Sequence, residues 1–129
     1  MNELERQDIL RGKLMAELLA KGVRRQEISA EIFDDGLEDF DALFLDMVAW
    51  LKAEGFVRCS GVFPGSNNET CASDIVPTSR GMSLLDQKVD GEKTGRDIVN
   101  ASMEGDHPSW SKFGALIGGF VGGFVQSAQ

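Results

Sequence analysis

The period of the hydrophobic pattern changes at Gly55 in this chain of 129 residues, and that change dictates a mixed fold. Before it, apolar residues recur at helical spacing. Asn2 and Glu5 have the form of a capping box, and Leu4, Ile9, Leu10, Leu14, Leu18 and Leu19 then predict a helix over residues 3–21, stopped at Lys21-Gly22. Ile28 and Ile32 lie four apart with Val23 and Phe33 beside them, which predicts a short second helix ending at Asp34-Asp35-Gly36. Phe40, Leu43, Phe44, Met47, Val48 and Leu51 then give the clearest amphipathic helix, over 38–54, with Glu38 or Asp39 suited to its positive end.

After Gly55 the signals are those of strands and turns. Phe56 to Phe63 reads as a strand, Pro64-Gly65-Ser66-Asn67-Asn68 as a turn, and Cys71 to Pro77 as the antiparallel return. Thr78 or Ser79 is placed to cap a fourth helix over 79–88 carrying Met82, Leu84 and Leu85. Asp90 to Gly95 reads as a polar linker. Ile98, Val99 and Met103 give a weak fifth helix, which Gly105 to Pro108 ends.

Three helices, a hairpin and a following helix is the order of a winged helix-turn-helix, and the chain resembles that superfamily over about residues 3–88. Leu51-Lys52-Ala53-Glu54-Gly55-Phe56-Val57 looks like the usual exit from the third helix into the first wing strand. Val76-Pro77-Thr78-Ser79-Arg80-Gly81-Met82-Ser83-Leu84-Leu85 is similar to the stretch that leaves the second, with Arg80 at a usual lysine position. The expected class is therefore mostly α, of the α+β type, with a winged-helix domain over 1–90 and a linker and helical glycine-rich tail over 91–129.

The resemblance implies DNA binding through the third helix, yet the charge pattern opposes it. Between Gln26 and Glu54 nine acids stand against the single base Lys52, while the remaining acids and bases balance, so the whole net charge of −8 lies on the segment that would face DNA. Phosphate neutralisation supplies most non-specific DNA affinity, and this face carries the opposite sign. The expectation is a non-enzymatic adaptor, inhibitor or regulatory subunit whose acidic residues Glu27, Glu31, Asp34, Asp35, Asp41 and Asp46 attract a basic protein partner. Ala42, Leu45 and Ala49, with Trp50 beside them, add a second apolar line to helix three and imply a cover there. The alternative is a dimeric transcription regulator that contacts DNA with Arg24, Arg25, Arg58 and Arg80.

Chemistry is sparse. Cys59, Cys71 and the single His107 are too few for a protein-only zinc site, and His107 sits in a loop-like stretch unsuited to a Cys–His dyad, so no metal, cofactor or catalytic residue is expected. The first residues lack a secretory pattern, which favours the cytoplasm.

The tail is the remaining constraint. Gly114, Gly118 and Gly122 form one helical line with Gly119 and Gly123 beside it, while Phe113, Ile117, Phe120 and Phe124 form a bulky face, resembling a glycine zipper. Each glycine costs a helix about 1 kcal/mol relative to alanine, so this segment needs a surface to be helical. Three covers fit: the chain's own core, a second subunit in a homo-oligomer, or a membrane surface in a membrane-active effector. The apolar run is short for a bilayer, and its acidic context disfavours anionic lipid.

Overall fold

A computed structural model describes residues 2–64, 70–106 and 108–120. Helix α1 (Glu3–Leu19) begins where expected, with the Asn2 side chain accepting from the Glu5 N–H at 2.8 Å. It turns off at Gly22, whose φ of 64° suits the residue without a Cβ.

The next segment departs from the helical expectation. Strand β1 (Gln26–Ser29) is followed by a single 3-10 turn over Ala30–Phe33. Ile28 is buried and Ile32 is 60% exposed, so the spacing of four does not mark one helical face. Ile28 instead pairs with Ala72 in a sheet, and the Ser29 hydroxyl caps the short turn through the Glu31 N–H. Pairing with another strand overrides a weak local helical pattern.

Helix α2 (Phe40–Ala53) follows the predicted register, burying Phe40, Leu43, Phe44, Met47, Val48 and Leu51. The expected single strand after Gly55 is divided into β2 (Val57–Arg58) and β3 (Gly61–Pro64), and both pair antiparallel with β4 (Thr70–Pro77). β4 is the centre of the sheet, with β1 on its other side. The ladder between β1 and β4 slips by one residue between Gln26 and Ile28, opposite Asp74, whose φ is 50°.

The predicted helix over 79–88 is shorter, α3 (Ser79–Ser83) running into a 3-10 turn over Leu84–Asp86. The expected polar linker is a small hairpin, β5 (Lys88–Asp90) and β6 (Lys93–Thr94), and it delivers a capping box in which Thr94 and Asp97 start α4 (Gly95–Met103). Helix α5 (Trp110–Gly118) comes last, and residues 121–129 lie outside the described residues. The architecture is α+β.

The two segments that carried the resemblance meet in space. Thr78 donates its N–H to the Phe56 carbonyl at 3.0 Å and its hydroxyl to the Gly55 carbonyl at 2.5 Å, while that hydroxyl oxygen accepts from the Gly81 N–H. A Cβ on Gly81 would lie 2.3 Å from the Phe56 carbonyl oxygen, so glycine there permits α3 to sit against the corner between α2 and β2.

One cluster of buried residues joins Leu14, Leu18, Phe44, Leu51, Phe56 and Ile75 to Ile98, Val99, Phe113, Ile117 and Phe120. Ile98, Val99, Phe113, Ile117 and Phe120 thus share the core of the first 90 residues. Of the three covers for the glycine-rich helix, the described residues show the chain's own core. A Cβ on Gly114 would fall 1.7 Å from the Asp8 carbonyl oxygen, and one on Gly12 would fall 2.3 Å from the Trp110 carbonyl oxygen. Helices α1 and α5 therefore touch backbone to backbone, running antiparallel.

Gly114→Ala is expected to destabilise the fold by about 2–3 kcal/mol in urea unfolding, because overpacking against backbone outweighs the gain of about 1 kcal/mol in helix propensity. Gly119→Ala, where a Cβ meets only ordinary contacts at 3.6 Å and 3.8 Å, is the control and leaves stability nearly unchanged. Equal effects of the two substitutions would refute the close-packed arrangement.

Candidate interaction surface

Helix α2 is amphipathic in two senses. Its inner face is the core, while Asp41, Ala42, Leu45, Asp46, Ala49, Lys52 and Ala53 are all exposed. Asp41, Leu45 and Ala49 follow one another at four-residue spacing, with Ala42 and Asp46 alongside, so acids and small apolar side chains share one stripe. The cover expected over Ala42, Leu45 and Ala49 is absent among the described residues. Trp50 belongs elsewhere: it is half-buried, stacked on Phe56 with centroids 6.0 Å apart and covered by the Arg11 guanidinium at 4.5 Å.

The six acidic residues singled out in the sequence divide unequally. Glu27, Glu31, Asp34, Asp41 and Asp46 are exposed and have no ion-pair partner among the described residues. Asp34 turns back on its own loop, accepting from the Gly36 N–H at 2.9 Å.

Asp35 is exposed but committed to an ion pair within the chain. Arg6, only 7% exposed, donates from Nε to Asp35 Oδ2 at 2.5 Å and from Nη2 to Asp35 Oδ1 at 3.3 Å. The same guanidinium reaches Asp39 at 2.9 Å, so the residue that starts α2 is held by charge and makes no side-chain cap of its own. Hydrogen bonds from Arg6 hold both carboxyls below the usual carboxylate range, with the Leu37 N–H adding to the effect at Asp35. Asp35 is thus a clamp between α1 and the loop before α2, and it leaves the set available to a partner. Sequence reasoning missed Arg6, although it stands four residues before Leu10 on the buried stripe of α1.

The cations split in a similar way. Arg80, proposed as a DNA contact, is folded inward. Its guanidinium lies 4.5 Å from the Phe56 ring centroid and 5.6 Å from that of Phe120, and it donates to the carbonyl oxygens of Glu54 and Phe120. Arg24, Arg25 and Arg58 are exposed and make no ion pair among the described residues. Lys21, Arg24 and Arg25 line a groove of about 700 Å³ along β1, and Arg25 and Arg58 line a second, of about 410 Å³, beside Cys59, Ser60 and Asp74.

The residues proposed for self-association are largely occupied. Phe113, Gly114, Ile117 and Phe120 are buried in the core, Gly118 is half-buried against Arg11 and Gly119 is exposed. Gly122, Gly123 and Phe124 lie outside the described residues, as does His107. A membrane-active α5 would have to leave α1 first, and no helix among the described residues is long and apolar enough to cross a membrane. Cys59 is a half-buried thiol that donates to the Gly61 carbonyl oxygen at 3.3 Å, and Cys71 is buried. No protein-family model, curated protein or solved structure matches the chain.

The Arg6 clamp has a defined pH signature. A carboxyl with a lowered folded-state pKa adds stability that is present above its unfolded value, near 4, and lost as pH falls through the folded value. Urea midpoints are therefore expected to fall steeply below about pH 4 in the wild type. In Arg6→Met the midpoint is lower at neutral pH and this part of the acid slope is flattened; an unchanged slope would remove the clamp from the account.

Proposed function

We propose that the chain is a small non-enzymatic interaction module on a winged-helix scaffold whose recognition helix, α2, has an acidic and apolar outer face directed at a basic protein segment. The order α1, β1, helical turn, α2 and hairpin, with the return strand β4 central, supports this reading if the second helix of a winged helix is reduced to the 3-10 turn over Ala30–Phe33. The observation that carries the functional reading is the outer face of α2, where Asp41 and Asp46 flank Leu45 and the only base is Lys52. In a DNA-reading relative that face would lie in the major groove against phosphates, and here the Coulombic term is repulsive. A basic helix or extended segment carrying apolar side chains would gain charge complementarity and cover Leu45 together with Ala42 and Ala49. The module then acts as an adaptor, inhibitor or regulatory subunit in the cytoplasm.

A second reading keeps nucleic acid as the ligand but moves it to the sheet end. Lys21, Arg24, Arg25 and Arg58 are cations without ion pairs beside the two grooves, and they favour it.

Two measurements decide between these readings. Tagged full-length protein is expected to enrich basic proteins in affinity capture, and Asp41→Lys/Asp46→Lys to reduce that enrichment at least tenfold while the circular dichroism spectrum stays the same. Fluorescent duplex DNA is expected to show no saturable binding at 50 mM salt. Undiminished capture by the charge-reversed variant overturns the acidic-face reading. Duplex binding with a steep salt slope, lost in Arg25→Glu/Arg58→Glu, would establish the regulator in its place.

A further inference from the structure

β1 is an edge strand. β4 covers one side of it, and no strand among the described residues lies on the other. The direction of its free backbone groups follows from the ladder. The Ser73 carbonyl accepts from the Ser60 N–H at 3.0 Å, so Ser73 faces the β3 side, and its neighbour Ala72 faces β1. Ala72 is the partner of Ile28. Ile28 therefore directs its N–H and C=O inward, and Glu27 and Ser29 direct theirs to the open edge. The groove of about 700 Å³ runs along that edge, lined by Gln26, Glu27, Ile28 and Ser29, with Arg24 and Arg25 before the strand and Ile32 after it. Val23 and Ile32, 71% and 60% exposed, bracket the strand as uncovered apolar side chains.

We propose that this edge is the self-association surface of the chain, and that two copies pair β1 against β1 antiparallel about a twofold axis near Ile28. The argument is one of self-complementarity. The segment is basic at its start, with Arg24 and Arg25, and acidic at its end, with Glu31. Antiparallel pairing centred on Ile28 sets Glu27 opposite Ser29 of the second copy, which satisfies roughly four outward backbone groups. The same register brings Arg25 to the end of the second copy that carries Glu31, and Arg24 and Val23 to the end that carries Ile32. Parallel pairing would instead set like charges side by side. A twofold interface is isologous, so one charge pairing occurs twice. The strand is short and the covered area is correspondingly small, so a weak, concentration-dependent dimer is expected. This surface is separate from the outer face of α2, and either proposal can stand without the other.

The test is sedimentation velocity on the full chain across concentrations up to about 500 µM at 50 mM and 500 mM salt. The wild type is expected to show a monomer–dimer equilibrium that weakens at the higher salt. Arg25→Glu and Glu31→Arg are each expected to raise the dissociation constant at least tenfold, and the double variant Arg25→Glu/Glu31→Arg to return it to within threefold of wild type. Ser29→Pro removes an outward N–H at a residue whose φ of −87° is near that of proline, and is expected to abolish dimerisation with the far-ultraviolet circular dichroism retained. A monomer at every concentration, a dimer indifferent to these substitutions, or a dimer lost only on removing residues 121–129 would each overturn the proposal. Rescue by the double variant identifies the loss in the singles as charge pairing and not misfolding.

Discussion

The contact between α1 and α5 is the constraint from which most of the structure follows. Two glycines, Gly12 and Gly114, let the helices meet where any side chain would collide with a carbonyl oxygen. That proximity delivers Phe113 and Ile117 to a core already holding Leu14, Leu18 and Phe44, and sets Phe120 against Phe56 with ring centroids 6.1 Å apart. Phe120 in turn gives Arg80 an aromatic neighbour and a carbonyl acceptor. The same arginine bonds to the end of α2 at Glu54, so the last described residue helps to fix the corner on which the hairpin turns. A glycine-rich helix that would be unstable alone is stabilised here by dispersion contacts available only at that distance.

Charge is sorted by the same fold into paired and unpaired sets. Arg6 and Arg11, both on α1 and both largely buried, pair with Asp35 and Asp39 and with Asp8 respectively, while the buried Arg11 Nε has no hydrogen-bond partner among the described residues. Arg11 also packs on Trp50, and burial lowers its pKa from the ordinary arginine value. Removing one partner of such a buried pair leaves an uncompensated charge, so these arginines define where the loop before α2 and the end of α5 can sit. On the surface that remains, acids dominate the outer face of α2 and the turn before it, while Arg24, Arg25 and Arg58, without ion pairs among the described residues, stand beside β1 and β2 together with Glu27 and Asp74.

How far this was legible in the sequence depends on whether an element was dictated locally. Helices α1 and α2 were readable because caps and a sustained period of 3.6 residues agree, and the hairpin because Gly55 and the turn residues bracket two strand-like runs. The segment around Ile28 was not, since its strand form depends on β4, more than forty residues later, and two isoleucines four apart are compatible with either element. The cover of the glycine-rich helix was equally hidden: Gly12 is an ordinary interruption of α1 until it is seen to face Trp110. Among the surface residues, the exposure of Asp41 and Asp46 followed from the helical period. The capture of Asp35 by Arg6, and of Arg80 by the Glu54 and Phe120 carbonyls, did not, because each is held by a partner distant in sequence.

Replacing a second helix by a single turn joins these observations. In a helix-turn-helix that helix braces the recognition helix and helps to set its angle against DNA. Here Phe33 of the turn over residues 30–33 braces α2, stacked on Phe44 with centroids 6.3 Å apart, while the Arg6 clamp holds the loop that follows. The shortened turn has two physical consequences. Asp34 and Glu38 of the loop stand in solvent next to the start of α2, where they extend its negative face, and Ile32 is left uncovered at the end of β1. The fold thus presents an acidic helix face and a strand edge of mixed sign that is open among the described residues. On the acidic face the Coulombic term disfavours a phosphate polymer, and that sign is the ground of the proposed protein partner.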